Sequence, residues 1–217
     1  MEFEPGSKAA IFFENCVNAY DAQSTTFERM TDEIQTEFGD GLRLEAFTEE
    51  AAQAFTEQWE PLLSDKQKSQ DRYLSARRIA EQAPNADPKF AYSRMFNDLY
   101  DPHHFNLAIW MDDTLCGLAL GGHQSEIDRD YISVKVIEGN PDPNHPLKGH
   151  IGEIIDRVST AYAQEIGVSR VAHIGRFSEG AKKMYEGRGL TPNEPVIFNP
   201  RGMQTNDTFI REIDPGL

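Results

Sequence analysis

The sequence predicts a mixed α/β fold, with a central sheet flanked by helices and an N-terminal helical extension. Three observations carry that expectation. Residues 7–38 contain no proline and space Phe12, Phe13, Cys16, Val17 and Tyr20 as one helical face does. Two apolar runs, 105–111 and 114–120, are separated by Asp112-Asp113, and an Ile/Val-rich run follows at 131–137. From residue 147 onward, helical patterns alternate with a short apolar run.

The elements follow in order. Gly39-Asp40-Gly41 punctuates the first helix, so residues 1–41 read as an extension that packs on the remaining chain or on another subunit, a homodimer being one such arrangement. Residues 42–217 read as one domain of ordinary size. Leu42–Phe47 alternates apolar and polar side chains like a half-buried strand. Thr48 before Glu49-Glu50 suits a helix N-cap, with acids at the positive end of the dipole, and that helix is expected to reach Trp59 and stop at Pro61. Residues 65–82 and 89–99 read as further helices. The runs 105–111 and 114–120 form a hairpin, and Tyr131–Ile137 a third strand. Ile151, Ile154, Ile155, Val158, Tyr162 and Ile166 make one helical face, ended by Gly167. Ser169–Gly175 is a strand, and Ser178 caps a short helix bounded by Gly187 and Gly189.

Composition bounds the function. With 39% hydrophobic residues the chain can bury a real core. A formal charge of −15 argues against nucleic acid or an anionic membrane as a partner, since both need clustered Lys and Arg. Between Lys148 and Arg188, however, seven Lys and Arg face five Asp and Glu, a region spared for an anionic ligand. The apolar run Ala9–Phe13 is short, lacks a basic lead and ends at Glu14, so no signal peptide is expected; the cysteines, Cys16 and Cys116, read as reduced, and the compartment as cytoplasmic.

The chemistry is expected around residues 138–190. The strand ending at Glu138 leads through Gly139 and a three-proline stretch into Lys148-Gly149-His150-Ile151-Gly152, where a helix begins. A glycine turn at a helix N-terminus gathers unpaired N–H groups and the dipole's positive end, which suits a pyrophosphate; a plain tight turn has the same composition. The stretch is neither a nucleotide P-loop nor the three-glycine dinucleotide fingerprint.

Ser178-Glu179-Gly180-Ala181-Lys182-Lys183-Met184-Tyr185-Glu186-Gly187-Arg188-Gly189-Leu190 resembles the closing motif of the GNAT acetyltransferase superfamily, an Asn-capped helix carrying Ala, then Tyr-Glu, then Gly-Phe. Ala181, Tyr185, Glu186, Gly189 and Leu190 match, and Ser178 stands where Asn is usual. Lys148–Gly152 resembles that family's Arg/Gln-x-x-Gly-x-Gly/Ala cofactor loop, reading like Arg-Gly-x-Gly-Ile-Gly with one glycine missing. The resemblance spans about Phe105–Leu190, and more loosely Leu42–Trp59.

It implies a GNAT-like sheet, acetyl-CoA as acyl donor, and direct attack by an amine without a covalent enzyme intermediate. Tyr185 would be the general acid on the leaving sulfur, and Glu138 the base or amine anchor. His123, after Gly121-Gly122 at a strand end, is a rival base because imidazole titrates near pH ~6.5. Ile137, Lys148, Gly149, His150, Ile151, Gly152, Ser178 and Ala181 would line the cofactor. The acidic helical region 61–104 would shape a pocket for a cationic acceptor, a small-molecule or protein amine. A GNAT-fold binding module without turnover is the alternative. His173, inside a strand, reads as half-buried with its hydrogen bonds satisfied. His103-His104 lacks the companions of a zinc site, and no nucleophile elbow or Cys-x-x-Cys pair is present.

Overall fold

The computed structural model describes residues 6, 8–64, 104–126, 129–175, 177–193 and 207–213. The helices expected at 65–82 and 89–99, and most of the region 61–104, lie outside the described residues. Helix α1 spans Lys8–Phe38, and Gly39 follows at φ 107 with its N–H on the Gln35 carbonyl at 2.8 Å, the left-handed stop that a glycine permits. Phe27, Met30 and Ile34, one face of α1, enter the same core cluster as Leu42, Leu44, Phe105 and Leu107. On the solvent side Arg157 donates to Glu37 at 2.9 Å and to Glu33 at 3.1 Å, clamping α1 to a later helix.

Strand β1 (Leu42–Glu45) is followed by α2 (Glu49–Ala54), whose cap is the one expected: Thr48 Oγ1 accepts from the Ala51 N–H at 3.3 Å. The helix continues as a π segment over Phe55–Trp59 and a 3-10 turn over Glu60–Leu62 that contains Pro61. Trp59 is buried there, its indole N–H donating to the Leu115 carbonyl at 2.8 Å.

Strands β2 (His104–Met111) and β3 (Thr114–Glu126) form the hairpin, with Asp112 turning at φ 52, and β4 (Arg129–Gly139) completes the meander. Helix α3 (Ile151–Glu165), β5 (Arg170–Gly175), α4 (Glu179–Gly187), β6 (Thr191–Asn193) and β7 (Asp207–Glu212) follow. The sheet order is β1-β2-β3-β4-β5-β7-β6, antiparallel except for the parallel β4–β5 pair, which α3 connects. Apolar side chains cover both faces. One cluster joins α1, α3 and the sheet; the second packs α2 and its π segment on Ala108, Trp110, Leu115 and Leu118. Cys116 is buried and free, while the side chain of Cys16 lies outside the described residues. Among the described residues no helix is long and apolar enough to cross a membrane.

Candidate functional site

The central feature is a fork in the sheet. β4 and β5 pair only at Ile132–Val171, Ser133–Ala172 and Val134–His173; β5 then stays with β7 as far as Gly175–Asp207. The last five residues of β4, Lys135–Gly139, therefore run beside β3 with no β5 partner on the other edge. The fork coincides with a bulge. Leu120 pairs with Val136 and Gly121 with Val134, so Lys135 is the extra residue on β4. A bulge reverses the alternation of faces. Ile132 and Val134 belong to the α3-side cluster, whereas Val136, two residues further, packs on the α2-side cluster.

The reversal decides where Glu138 goes. It lies opposite Leu118, a member of the α2-side cluster, and its side chain is buried at 2% exposure. Ile137 points the other way, toward Tyr185, Leu190 and Phe209. His123 pairs with Ile132, five residues along β3 from Leu118, which is roughly 17 Å away at strand rise. It also sits inside β3 rather than at its end, because β3 continues to Glu126, and its Nε2 is 3.7 Å from Asp130 Oδ1. The two candidate bases therefore lie toward opposite ends of the β3–β4 ladder, Glu138 on β4 and His123 on β3, and the fork takes in Glu138, not His123.

The N-terminus of α3 reaches the same place. Asn140 anchors the loop, its Nδ2 donating to the Leu115 carbonyl at 2.8 Å and its Oδ1 accepting from the Asp142 N–H at 2.8 Å. A Cβ on Gly117 would stand 2.8 Å from Ile151 Cγ2, and one on Gly139 3.7 Å from Ile151 Cγ1, so small residues let the first turn of α3 settle on the ends of β3 and β4. The helical ladder starts with the Ile154 N–H on the His150 carbonyl, leaving the N–H groups of Ile151, Gly152 and Glu153 without intrahelical acceptors. Gly149 adopts φ 89, and a Cβ there would meet nothing within 4 Å, an open cradle beside those donors. The Lys148 and His150 N–H groups, in contrast, already serve the His145 and Leu147 carbonyls at 3.1 Å each. Lys148 and His150 are exposed. Glu153 is held below the ordinary carboxylate range: burial pushes it up, but Arg188, at 2.9 Å, and His150 outweigh that.

Helix α4 closes the site. Ser178 Oγ accepts from the Ala181 N–H at 3.2 Å, which makes both residues part of a cap. A Cβ on Gly152 would lie 2.9 Å from Met184 Cε, so α3 and α4 touch beside Tyr185. Tyr185 is 2% exposed, its ring 4.8 Å from that of His173, 5.1 Å from Phe177 and 5.4 Å from Phe209 between centroids. Burial, then the nearby Asp156 carboxylate, push its phenol well above the usual tyrosine range.

His173 departs from expectation. It is wholly buried rather than half-buried, because α3 and α4 cover this face of β5. Its hydrogen bonds are also not satisfied: Nε2 stands 3.5 Å from Asp156 Oδ1, too long for a good hydrogen bond, and Nδ1 has no hydrogen-bond partner among the described residues. Asp156, equally buried, is met by Arg211 Nη2 at 2.6 Å and Arg188 Nε at 3.3 Å. Burial pushes the Asp156 carboxyl up; His173 and Arg211 outweigh it and hold the group below the ordinary range. Sequence reading did not find Asp156, Arg188 and Arg211. An acid between Ile155 and Arg157 looks like the solvent side of a helix, and nothing local announces that β7 will bring Arg211 to it. Among the described residues no group of three or more His, Cys, Asp or Glu is arranged to hold a metal.

A sheet forked between parallel β4 and β5, with a helix N-terminus at the fork and a second helix closing it, is the fold of the GNAT acetyltransferase superfamily. Solved structures agree at the level of fold. RimL, a ribosomal L7/L12 α-N-protein acetyltransferase in complex with coenzyme A, is similar at 14% identity and TM-score 0.52, over 82% of this chain and 97% of that one. A Desulfovibrio desulfuricans chain assigned as a GNAT-family acetyltransferase is similar at 12% identity and TM-score 0.51, over 80% and 99%. A third, described as a probable acetyltransferase, gives 14% identity and TM-score 0.53, over 81% and 95%. No protein-family model and no curated protein matches the sequence.

Proposed function

We propose that this protein is an N-acyltransferase that takes an acetyl group from acetyl-CoA and passes it to an amine by direct attack. The observation that carries the reading is the fork: β4 leaves β5 after Val134–His173, and the donor-rich start of α3 stands at its open end. Acetyl-CoA supplies an acetyl group already activated as a thioester. The stretch of β4 beyond its last pairing with β5, residues 135–139, is the strand beside which an extended amide-containing arm would lie. The Ile151, Gly152 and Glu153 N–H groups, with the open turn at Gly149, would hold a pyrophosphate, and Lys148 adds positive charge. RimL carries coenzyme A on the same fold.

The remaining chemistry falls to side chains. In this reading Glu138 takes a proton from the incoming ammonium or anchors it, supported by its position opposite Leu118 on the α2 side of β4. Tyr185 approaches from the α4 side and donates its phenolic proton to the departing sulfur, sparing a thiolate in a low-dielectric cleft. Burial keeps that phenol protonated, as a donor must be. The acceptor is an amine, small or at a protein terminus. A second reading, a GNAT-fold binding module without turnover, is favoured by one observation: the Lys148 and His150 N–H groups are already spent within the loop.

Titration calorimetry with coenzyme A and acetyl-CoA tests the reading. Binding should be measurable and should raise the melting temperature, because the ligand binds only the folded state. Gly149→Val, which forces a branched side chain into φ 89, should abolish binding while the fold survives. Absence of heat and of a thermal shift at saturating coenzyme A would reject the enzyme reading; binding without any transfer would support the module.

A further inference from the structure

His173 stands at the apex of the fork. It forms the last rung between β4 and β5, opposite Val134, and is paired on its other edge with Phe209. The rings of His173 and Phe209, cross-strand neighbours, both face Tyr185, at 4.8 and 5.4 Å. Behind His173 lies Asp156, itself fixed by Arg211 Nη2 at 2.6 Å and Arg188 Nε at 3.3 Å. The chain of contacts thus runs from two arginines through a carboxylate and an imidazole to the phenol.

A purely structural residue would be a poor explanation for this imidazole. Position 173 is wholly buried, and its Nδ1 finds no hydrogen-bond partner among the described residues. A buried polar atom left in that state costs stability that an apolar ring of similar size would avoid. The carboxylate behind it carries a further burial cost, offset by two arginines drawn from different elements, the end of α4 and β7. Such an arrangement at the fork apex, in ring contact with Tyr185, is expected of a functional support.

We propose that Asp156 and His173 are positioning residues for Tyr185: the carboxylate, itself held by Arg188 and Arg211, stands 3.5 Å behind the imidazole, and the imidazole with Phe209 brackets the phenol ring so that its hydroxyl addresses the sulfur leaving along the fork. The proposal rests on the acyltransferase reading. Neither residue touches substrate; both act through Tyr185.

The test is a double-mutant cycle on release of free thiol from acetyl-CoA with water as acceptor, followed with a thiol reagent. His173→Phe keeps a ring but removes both nitrogens, and His173→Gln replaces it should the first variant fail to fold. Tyr185→Phe should slow thiol release about a hundredfold and His173→Phe about tenfold, with coenzyme A affinity unchanged. The double variant should stay within about twofold of Tyr185→Phe alone, because a residue acting through Tyr185 has nothing left to act on. Losses that multiply in the double variant, or a His173→Phe rate within about twofold of the parent, would overturn the proposal. If the parent releases no thiol to water above buffer, the acyltransferase reading is judged separately, by coenzyme A and acetyl-CoA calorimetry. The pairing is then decided by the imidazole nitrogen-15 shifts of His173 in the parent and in Tyr185→Phe: displaced shifts support the coupling and identical shifts overturn it.

Discussion

Val134 and His173 are the last residues at which β4 and β5 pair, and one residue later Lys135 bulges out of β4. Ladder end and bulge together open the sheet and turn Glu138 toward α2 while Ile137 faces Tyr185.

Tyr185→Phe removes one hydroxyl from a ring held by His173, Phe177 and Phe209. Packing survives, so the melting temperature and coenzyme A affinity should change little. Acetyl transfer should fall by about 10²–10⁴, the usual loss of one acid catalyst. Turnover within about twofold of the parent would remove Tyr185 from the mechanism.

Glu138→Gln keeps the shape of a side chain that is 2% exposed but removes its basicity. Coenzyme A should bind as before. Transfer to an amine should drop by about 10²–10⁴ and lose its dependence on the carboxylate in the pH–rate profile. An unaltered profile would show that the amine loses its proton elsewhere, and His123 lies too far along β3 to substitute directly.

Asp156→Asn should destabilise the fold by about 2–3 kcal/mol near neutral pH, somewhat below the cost of breaking a fully buried pair. The discount reflects Arg188 and Arg211, whose side chains remain 28% and 26% exposed. The Asp156 carboxyl is depressed in the folded state, so its contribution is complete above the unfolded value near ~3.9 and disappears as pH falls through the lower folded value. Denaturant unfolding of parent and variant should therefore differ fully at neutral pH and converge in strong acid. A constant gap across that range would contradict the assignment.

Ile34→Ala should cost about 2–5 kcal/mol, since Ile34 is wholly buried in the cluster that holds Leu42, Phe105 and Tyr162. Deleting residues 1–41 should expose that surface and leave the remainder unable to fold cooperatively. A truncated chain with a normal melting transition would establish the extension as a separable addition.

Much of the architecture was legible in local pattern. The Thr48 and Ser178 caps, the Asp112-Asp113 turn and the helical face from Ile151 to Tyr162 depend on near neighbours, and the structure places them where the residues imply. The α3 N-terminus could be read for the same reason, because a strand, a glycine and a helix start are all contiguous.

What sequence by itself determined, then, is the order and kind of the described elements and the helix start that follows the glycine turn at Gly149. Only the tertiary structure decided how the elements meet. The bulge at Lys135 is a property of two strands in register, and no alternation within 131–139 reveals it; read straight through, Glu138 would share a face with Ile132 and Val134. The Asp156–Arg188–Arg211–His173 cluster joins residues from α3, the end of α4, β7 and β5, and its ion pairs form only once these elements dock. Short-range hydrogen bonds and apolar periodicity are written in consecutive residues, whereas strand register and buried charge compensation arise from contacts distant in the chain.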